Sequence, residues 1–180
     1  MPETTAELWQ RQDRAVGDRR GLYAAVADAV DVERALYPGS YVDVAPSFVF
    51  DDVIYADVDR RANRFFGDID GVNAIIATAT PDRRPTWSWH HADYTGGLDL
   101  PDEHVDLLIS LYAGFVSEHC THHLRVGGTL LVNSSHGDAA MASIDNRYEL
   151  AGVVNGSGGR YRTSDADLDR YLVPKRPTEI

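Results

Sequence analysis

A glycine turn and two aspartates stand where apolar runs end, and this is the pattern that could do chemistry. Tyr37-Pro38-Gly39-Ser40-Tyr41 closes a short apolar run from Ala35 to Tyr37. Glycine lets a backbone approach a ligand closely, and a following helix start offers unpaired N–H groups. Asp57 ends a second apolar run, Val53 to Val58, and lies 18 residues beyond Gly39. A carboxylate at that spacing can accept hydrogen bonds from a ribose diol. Asp57 and the nearby Asp59 could equally cap the next helix. Asp93 ends a third run, Thr86 to Ala92, and Tyr94 follows it.

Two further residues could act on a substrate. His136 follows Asn133-Ser134-Ser135 at the end of a later apolar run. Imidazole titrates near neutral pH, so such a residue suits proton removal. Tyr112 ends the run Val105-Asp106-Leu107-Leu108-Ile109-Ser110-Leu111-Tyr112 and could hydrogen-bond an acceptor. As bland alternatives, His136 is a loop histidine without a partner and Tyr112 is wall. For metal ligation, His119 and His123 lie four apart on an expected helix, where the helix dipole alone would favour cationic side chains. No metal is expected. His90 and His91 point to opposite faces of their strand. Trp87 and Trp89 share one strand face and are expected in the core.

These residues need strands to carry them and helices to separate the strands. Ala6 to Arg34 has helical spacing of Leu8, Trp9, Val16, Leu22, Tyr23 and Val26, with Gly17 and Gly21 expected to split it. Asp43 is expected to cap a short helix through Phe48. Helices are predicted over Arg60 to Phe66, Gly71 to Thr78 and Phe115 to Leu124, the last stopped by Gly127-Gly128. A fifth strand is expected from Thr129 to Asn133, then a loop or short helix from Ser134 to Ile144. Tyr148 to Val154 and Arg160 to Thr163 could pair as a hairpin. A short helix is read over Asp165 to Leu172, and a frayed tail over Pro174 to Pro177. Trp9 and Tyr23 could form a lid.

The alternation predicts an α/β, Rossmann-like, mainly parallel sheet with helices on both faces and a C-terminal antiparallel hairpin. It is read as one domain, with N-terminal helices over 1–34 and the core over 35–180. Ligands of such sheets bind at the carboxyl ends of the strands, which is where all the candidates fall.

The order of these features resembles the class I S-adenosylmethionine-dependent methyltransferases. A glycine turn follows the first strand, and acids follow the second and third. Then come Leu100-Pro101-Asp102, the fourth strand Val105-Asp106-Leu107-Leu108, and Gly127-Gly128-Thr129-Leu130-Leu131-Val132. The resemblance covers about Leu36 to Val132. It implies S-adenosylmethionine as cofactor, with Gly39 and Ser40 beside its methionine part. Asp57 would bind the ribose and Val58 the adenine, Asp93 would accept from the adenine amino group with Tyr94 beside it, and Leu111 and Tyr112 would line the pocket. Tyr37 occupies the place of the family's usual first-loop acid, Gly39 is the only glycine of that turn, and Asp43 could stand in for the acid.

Composition narrows the rest. The net charge of −11 opposes nucleic-acid binding. No apolar run is long enough for a membrane span, nothing reads as a secretory signal, and one cysteine, Cys120, allows no internal disulfide. A cytoplasmic enzyme with a small-molecule acceptor is expected, and a homo-oligomer is compatible with it. Two alternatives stand beside it: a catalytically silent binding module of the same fold, and the same fold using S-adenosylmethionine or NAD for other chemistry. Tyr41 argues against NAD, since it stands where pyrophosphate would meet bare backbone.

Overall fold

The computed structural model describes residues 3–173 apart from 18 and 159. The tail read at Pro174 to Pro177 lies outside the described residues. Helix α1 (Thr5–Val16) starts with a reciprocal cap: Thr4 accepts from the Glu7 amide while the Glu7 side chain takes the Thr4 amide. Gly17, at φ 75°, ends it. Helix α2 (Arg19–Ala27) follows and runs through Gly21, so the expected split into two pieces falls at Gly17. The apolar contacts of Tyr23 and Val26 outweigh the modest helix penalty of one glycine.

Five parallel strands form one sheet in the order β3-β2-β1-β4-β5. They are β1 (Arg34–Pro38), β2 (Asp52–Asp57), β3 (Thr86–His91), β4 (Val105–Ser110) and β5 (Leu124–Val132). Helices α3 (Arg60–Gly67) and α4 (Ile69–Ala79) link β2 to β3, capped by Asp59 and Asp68. A 3-10 turn, Ala45–Phe48, lies between β1 and β2; Val44, not the expected Asp43, stands at its capping position, and Asp43, one residue earlier, accepts from the Ala45 amide. Helix α5 (Val116–Cys120) gives way to a 3-10 turn at Thr121–His123, and α6 (Asp138–Ile144) follows β5.

The three central strands, β1, β2 and β4, read as near-continuous apolar runs because both faces are covered, whereas edge strand β3 alternates exposed and half-buried residues. Ala35, Tyr37, Val53, Tyr55, Leu107 and Ile109 face one core with α1 to α4. Leu36, Ile54, Leu108, Val116 and Cys120 form the other. Trp87 and Trp89 pack against the first core, where Phe66 stacks on Trp89 at 4.4 Å. Burial pushes the Cys120 thiol up to about 12.

Gly127-Gly128 does not stop a helix. Both lie inside β5, where the β4–β5 register shifts between Val105 and Leu107. Gly127 has φ 79°, and a Cβ on Gly128 would stand 2.7 Å from Leu124 and 2.9 Å from the Arg125 carbonyl. A bulge, rather than a cap, requires this pair. The hairpin is present as β6 (Val153–Ser157) and β7 (Arg160–Ser164), separate from the main sheet and packed on α2. Only a 3-10 turn, Leu168–Arg170, forms within the short helix expected at Asp165 to Leu172.

Two carboxylates lock the frame. Asp106 accepts from the Glu33 and Arg34 amides at 2.8 and 2.9 Å and pairs with Arg125 at 2.8 Å, tying the entry of β1 to β4 and β5. Asp138, fully buried, accepts from Ser110 Oγ and Ser117 Oγ, each at 2.5 Å, and from the Ser117 amide at 3.2 Å. It therefore caps α5 from α6 and fixes the end of β4. Asp138→Ala strips three buried donors, each worth ~1–3 kcal/mol when left unpaired. Urea unfolding should show a loss of about 3 kcal/mol or more, and a smaller loss would show that these donors find other partners.

Candidate functional site

The carboxyl ends of the strands gather the sequence candidates. The turn after β1 is held by Gly39, at φ 66°, whose amide donates to the Ala56 carbonyl at 2.8 Å. A Cβ there would lie 2.6 Å from Ala113 Cβ, so the chain's own loop after β4 presses on this glycine. Ser40 is buried, and its hydroxyl turns to the Tyr41 carbonyl at 3.5 Å. Tyr37 is buried, and its hydroxyl donates to Asp43 at 3.5 Å. Leu111 belongs to the first core.

Asp57 lies at the tip of β2. Its Oδ2 accepts from the Tyr41 amide and its Oδ1 from the Asp59 amide, both at 2.8 Å. These bonds orient the carboxylate, and each oxygen keeps a second lone pair. Asp59, not Asp57, caps α3 through the Arg61 and Ala62 amides. Val58 is 57% exposed, an apolar side chain without cover beside that carboxylate.

Asp93 caps the 3-10 turn Tyr94–Gly96. Its Oδ1 accepts from both the amide and the hydroxyl of Thr95, at 2.9 and 2.7 Å, which holds its carboxyl below the usual range. Its Oδ2 has no hydrogen bond among the described residues and so remains an acceptor. Tyr94 donates to the Gly114 carbonyl at 2.8 Å, bracing the loop after β4. That loop carries Tyr112, at φ 63° and 61% exposed. His136, at φ 57°, is exposed beyond β5, with Ser135 Oγ at 2.6 Å from its Nδ1. His136 lies close to the same loop, 3.8 Å from where a Cβ on Gly114 would stand.

Beneath these residues is a charge pair that the sequence analysis missed. Asp43 is 0% exposed and Arg19 is 5% exposed, with 3.9 Å between Arg19 Nη1 and Asp43 Oδ2. Tyr23 also donates to Asp43, at 3.4 Å. Burial raises the Asp43 carboxyl above the usual carboxylate range, and Arg19 opposes that rise. The Arg19 guanidinium lies 5.1 Å from the centre of the Tyr112 ring, a cation–π distance. The one sequence signal was an arginine on the apolar stripe of α2, four residues before Tyr23. Trp9 and Tyr23 are not a lid: they pack edge-on against Phe48 and Phe50 within the first core.

His119 and His123 do not share a helix, because α5 ends at Cys120. His119 faces Tyr94, with ring centres 6.5 Å apart. His91 Nε2 donates to the Val58 carbonyl, 3.1 Å away. No helix among the described residues is long and apolar enough to cross a membrane.

No family model matches the sequence, and no curated protein matches it significantly. Solved structures do. A provisionally assigned O-methyltransferase from Klebsiella pneumoniae superposes over 91% of this chain and 89% of its own, with a TM-score of 0.55 at 11% identity. The YcgJ protein from Bacillus subtilis aligns over 63% of this chain and 48% of its own length, with a TM-score of 0.45 at 16% identity. This chain thus spans about half of that protein. An S-adenosylmethionine-dependent methyltransferase from Mesorhizobium loti aligns over 87% and 67%, with a TM-score of 0.40 at 21% identity. The Klebsiella likeness shows that the fold is the Rossmann-like fold of class I methyltransferases.

The Arg19–Asp43 pair is testable by charge removal. Asp43→Asn leaves a buried guanidinium without its counter-charge and should cost about 3–5 kcal/mol in urea unfolding. Adding Arg19→Met should recover part of that loss. A double variant no more stable than Asp43→Asn alone would show that the two charges are not coupled.

Proposed function

We propose that the chain is an S-adenosylmethionine-dependent methyltransferase acting on a small-molecule acceptor. The observation that carries this reading is the gathering of Asp57, Val58, Asp93, Tyr112 and His136 at one end of a sheet with the methyltransferase strand order. The groups fit the adenosine half of the cofactor. Asp57 offers oriented acceptors for ribose hydroxyls, the free Oδ2 of Asp93 suits the adenine amino group, and exposed Val58 suits the face of the base.

The methionine half meets a different environment. Tyr37 replaces the family's acid, and Asp43 is engaged with Arg19, so neither stands free for an amino group. Tyr112, braced by Arg19, shapes the wall on that side. Bound S-adenosylmethionine supplies an electrophilic methyl group on its sulfonium. The chain's own work is then to orient an acceptor and remove its proton. His136 Nε2 serves as base, with Ser135 Oγ fixing Nδ1. A compact acceptor is favoured because the described residues add only α1, α2 and a two-stranded hairpin to the sheet and its connections, and the −11 charge disfavours polyanions.

Two features favour a second reading, a non-catalytic binding module. The glycine turn is closed by Ala113, and both Asp57 oxygens already accept from the chain's own amides.

Thermal unfolding with S-adenosylmethionine, S-adenosylhomocysteine and NAD separates the readings. A ligand at 100 times its Kd stabilises by about 2.7 kcal/mol. A rise with the first two and not with NAD is expected, and Asp57→Ala should weaken their binding by about 1–3 kcal/mol in calorimetry. No rise with either would defeat the cofactor assignment. Once an acceptor is found, His136→Ala should lower kcat about a hundredfold with S-adenosylhomocysteine affinity unchanged. Binding of the cofactor without turnover across an acceptor screen would favour the module.

A further inference from the structure

The amino ends of β4 and β5 hold a second group of chemically competent side chains. Asp102, His122 and His123 each bring a ligand atom within 4.8 Å of the others. Asp102 lies in the loop entering β4, and the two histidines form the turn entering β5. Backbone bonds hold these loops side by side: the Glu103 amide donates to the His122 carbonyl at 2.9 Å, and the His104 amide to the His123 carbonyl at 2.8 Å. The group therefore rests on a paired frame.

His123 carries the argument. It is 1% exposed, and its Nδ1 lies 3.0 Å from the Pro101 carbonyl. A carbonyl only accepts, so Nδ1 bears the proton and Nε2 presents its lone pair. That Nε2 is buried and has no hydrogen-bond partner among the described residues. A buried polar atom without a partner costs ~1–3 kcal/mol, and metal-bound imidazoles characteristically donate their other N–H to a carbonyl. The ring of His122 is 3.8 Å away, centre to centre.

We propose that Asp102, His122 and His123 bind a divalent transition metal of the zinc class. Two imidazoles and one carboxylate suit such an ion, and the negative net charge of the chain attracts cations. Bonds of about 2.0–2.2 Å require the three ligand atoms to close by roughly an ångström. Rotation of the exposed Asp102 and His122 side chains achieves this. The site is separated from the carboxyl ends of the strands by the length of β4, about 20 Å at ~3.3 Å per residue. Its role is then to clamp the loops entering β4 and β5, and it stands whether or not the chain transfers methyl groups.

Calorimetric titration of the chelator-treated full chain with zinc chloride tests this. One equivalent should bind, and zinc should raise the midpoint of thermal unfolding. His122→Gln and Asp102→Asn, both at exposed positions, should each weaken zinc binding roughly tenfold or more, with metal-free melting unchanged. Absence of binding in the parent chain, or binding by both variants as tight as the parent's, overturns the proposal.

Discussion

Burying a carboxylate in a domain of this size demands compensation, and the compensation for Asp43 organises the carboxyl end of the sheet. Arg19 arrives from α2, Tyr23 from the next turn of the same helix, Tyr37 from β1 and the Ala45 amide from the following turn. Three separate pieces of chain are thereby fixed around one buried group. Arg19 then carries the arrangement outward, since its other side faces the ring of exposed Tyr112. The conformations of the turn after β1 and the loop after β4 are linked through this pair. In a low-dielectric interior such a pair is a specificity device at least as much as a source of stability.

A parallel sheet covered on both faces leaves polar groups nowhere to go but the strand ends. The molecule uses both. At the amino ends, Asp106 ties three segments together and the Asp102–His122–His123 group assembles. At the carboxyl ends, Asp57 and Asp93 stay within reach of solvent, each oriented by backbone amides and each with acceptor capacity to spare. Asp138 sits between the two regimes: it is buried, and it holds α5, α6 and the end of β4 in one arrangement. The loop with Tyr112 and Ala113 leaves the sheet from that point.

The elements were legible where periodicity and caps agreed. Asp59 announces α3, and the near-continuous apolar run at Val105, broken by Asp106, announces a central strand. Glycine was the harder signal. Gly17 ends a helix, Gly21 lies within one, and Gly127-Gly128 forms a bulge. The residue type is the same in each case, and the outcome depends on whether neighbouring side chains find a core. The placement of Asp57, Asp93, Tyr112 and His136 at or just beyond strand ends was readable from the sequence. Arg19 was not, because a charge on an apolar helical face is meaningful only once its partner is known to be buried opposite it.

The sequence by itself determined the order of strands and helices, and hence which residues come to the carboxyl ends of a parallel sheet. Spacing and capping are local properties, and right-handed crossovers leave the chain little choice of side. Only the tertiary structure decided how those residues are engaged. It showed Asp43 joined to Arg19 from 24 residues earlier, Gly39 pressed by Ala113, and His123 left with a buried lone pair beside Asp102 and His122. Those facts depend on which groups meet after the chain closes on itself, and contacts between distant segments leave no periodic trace in the sequence.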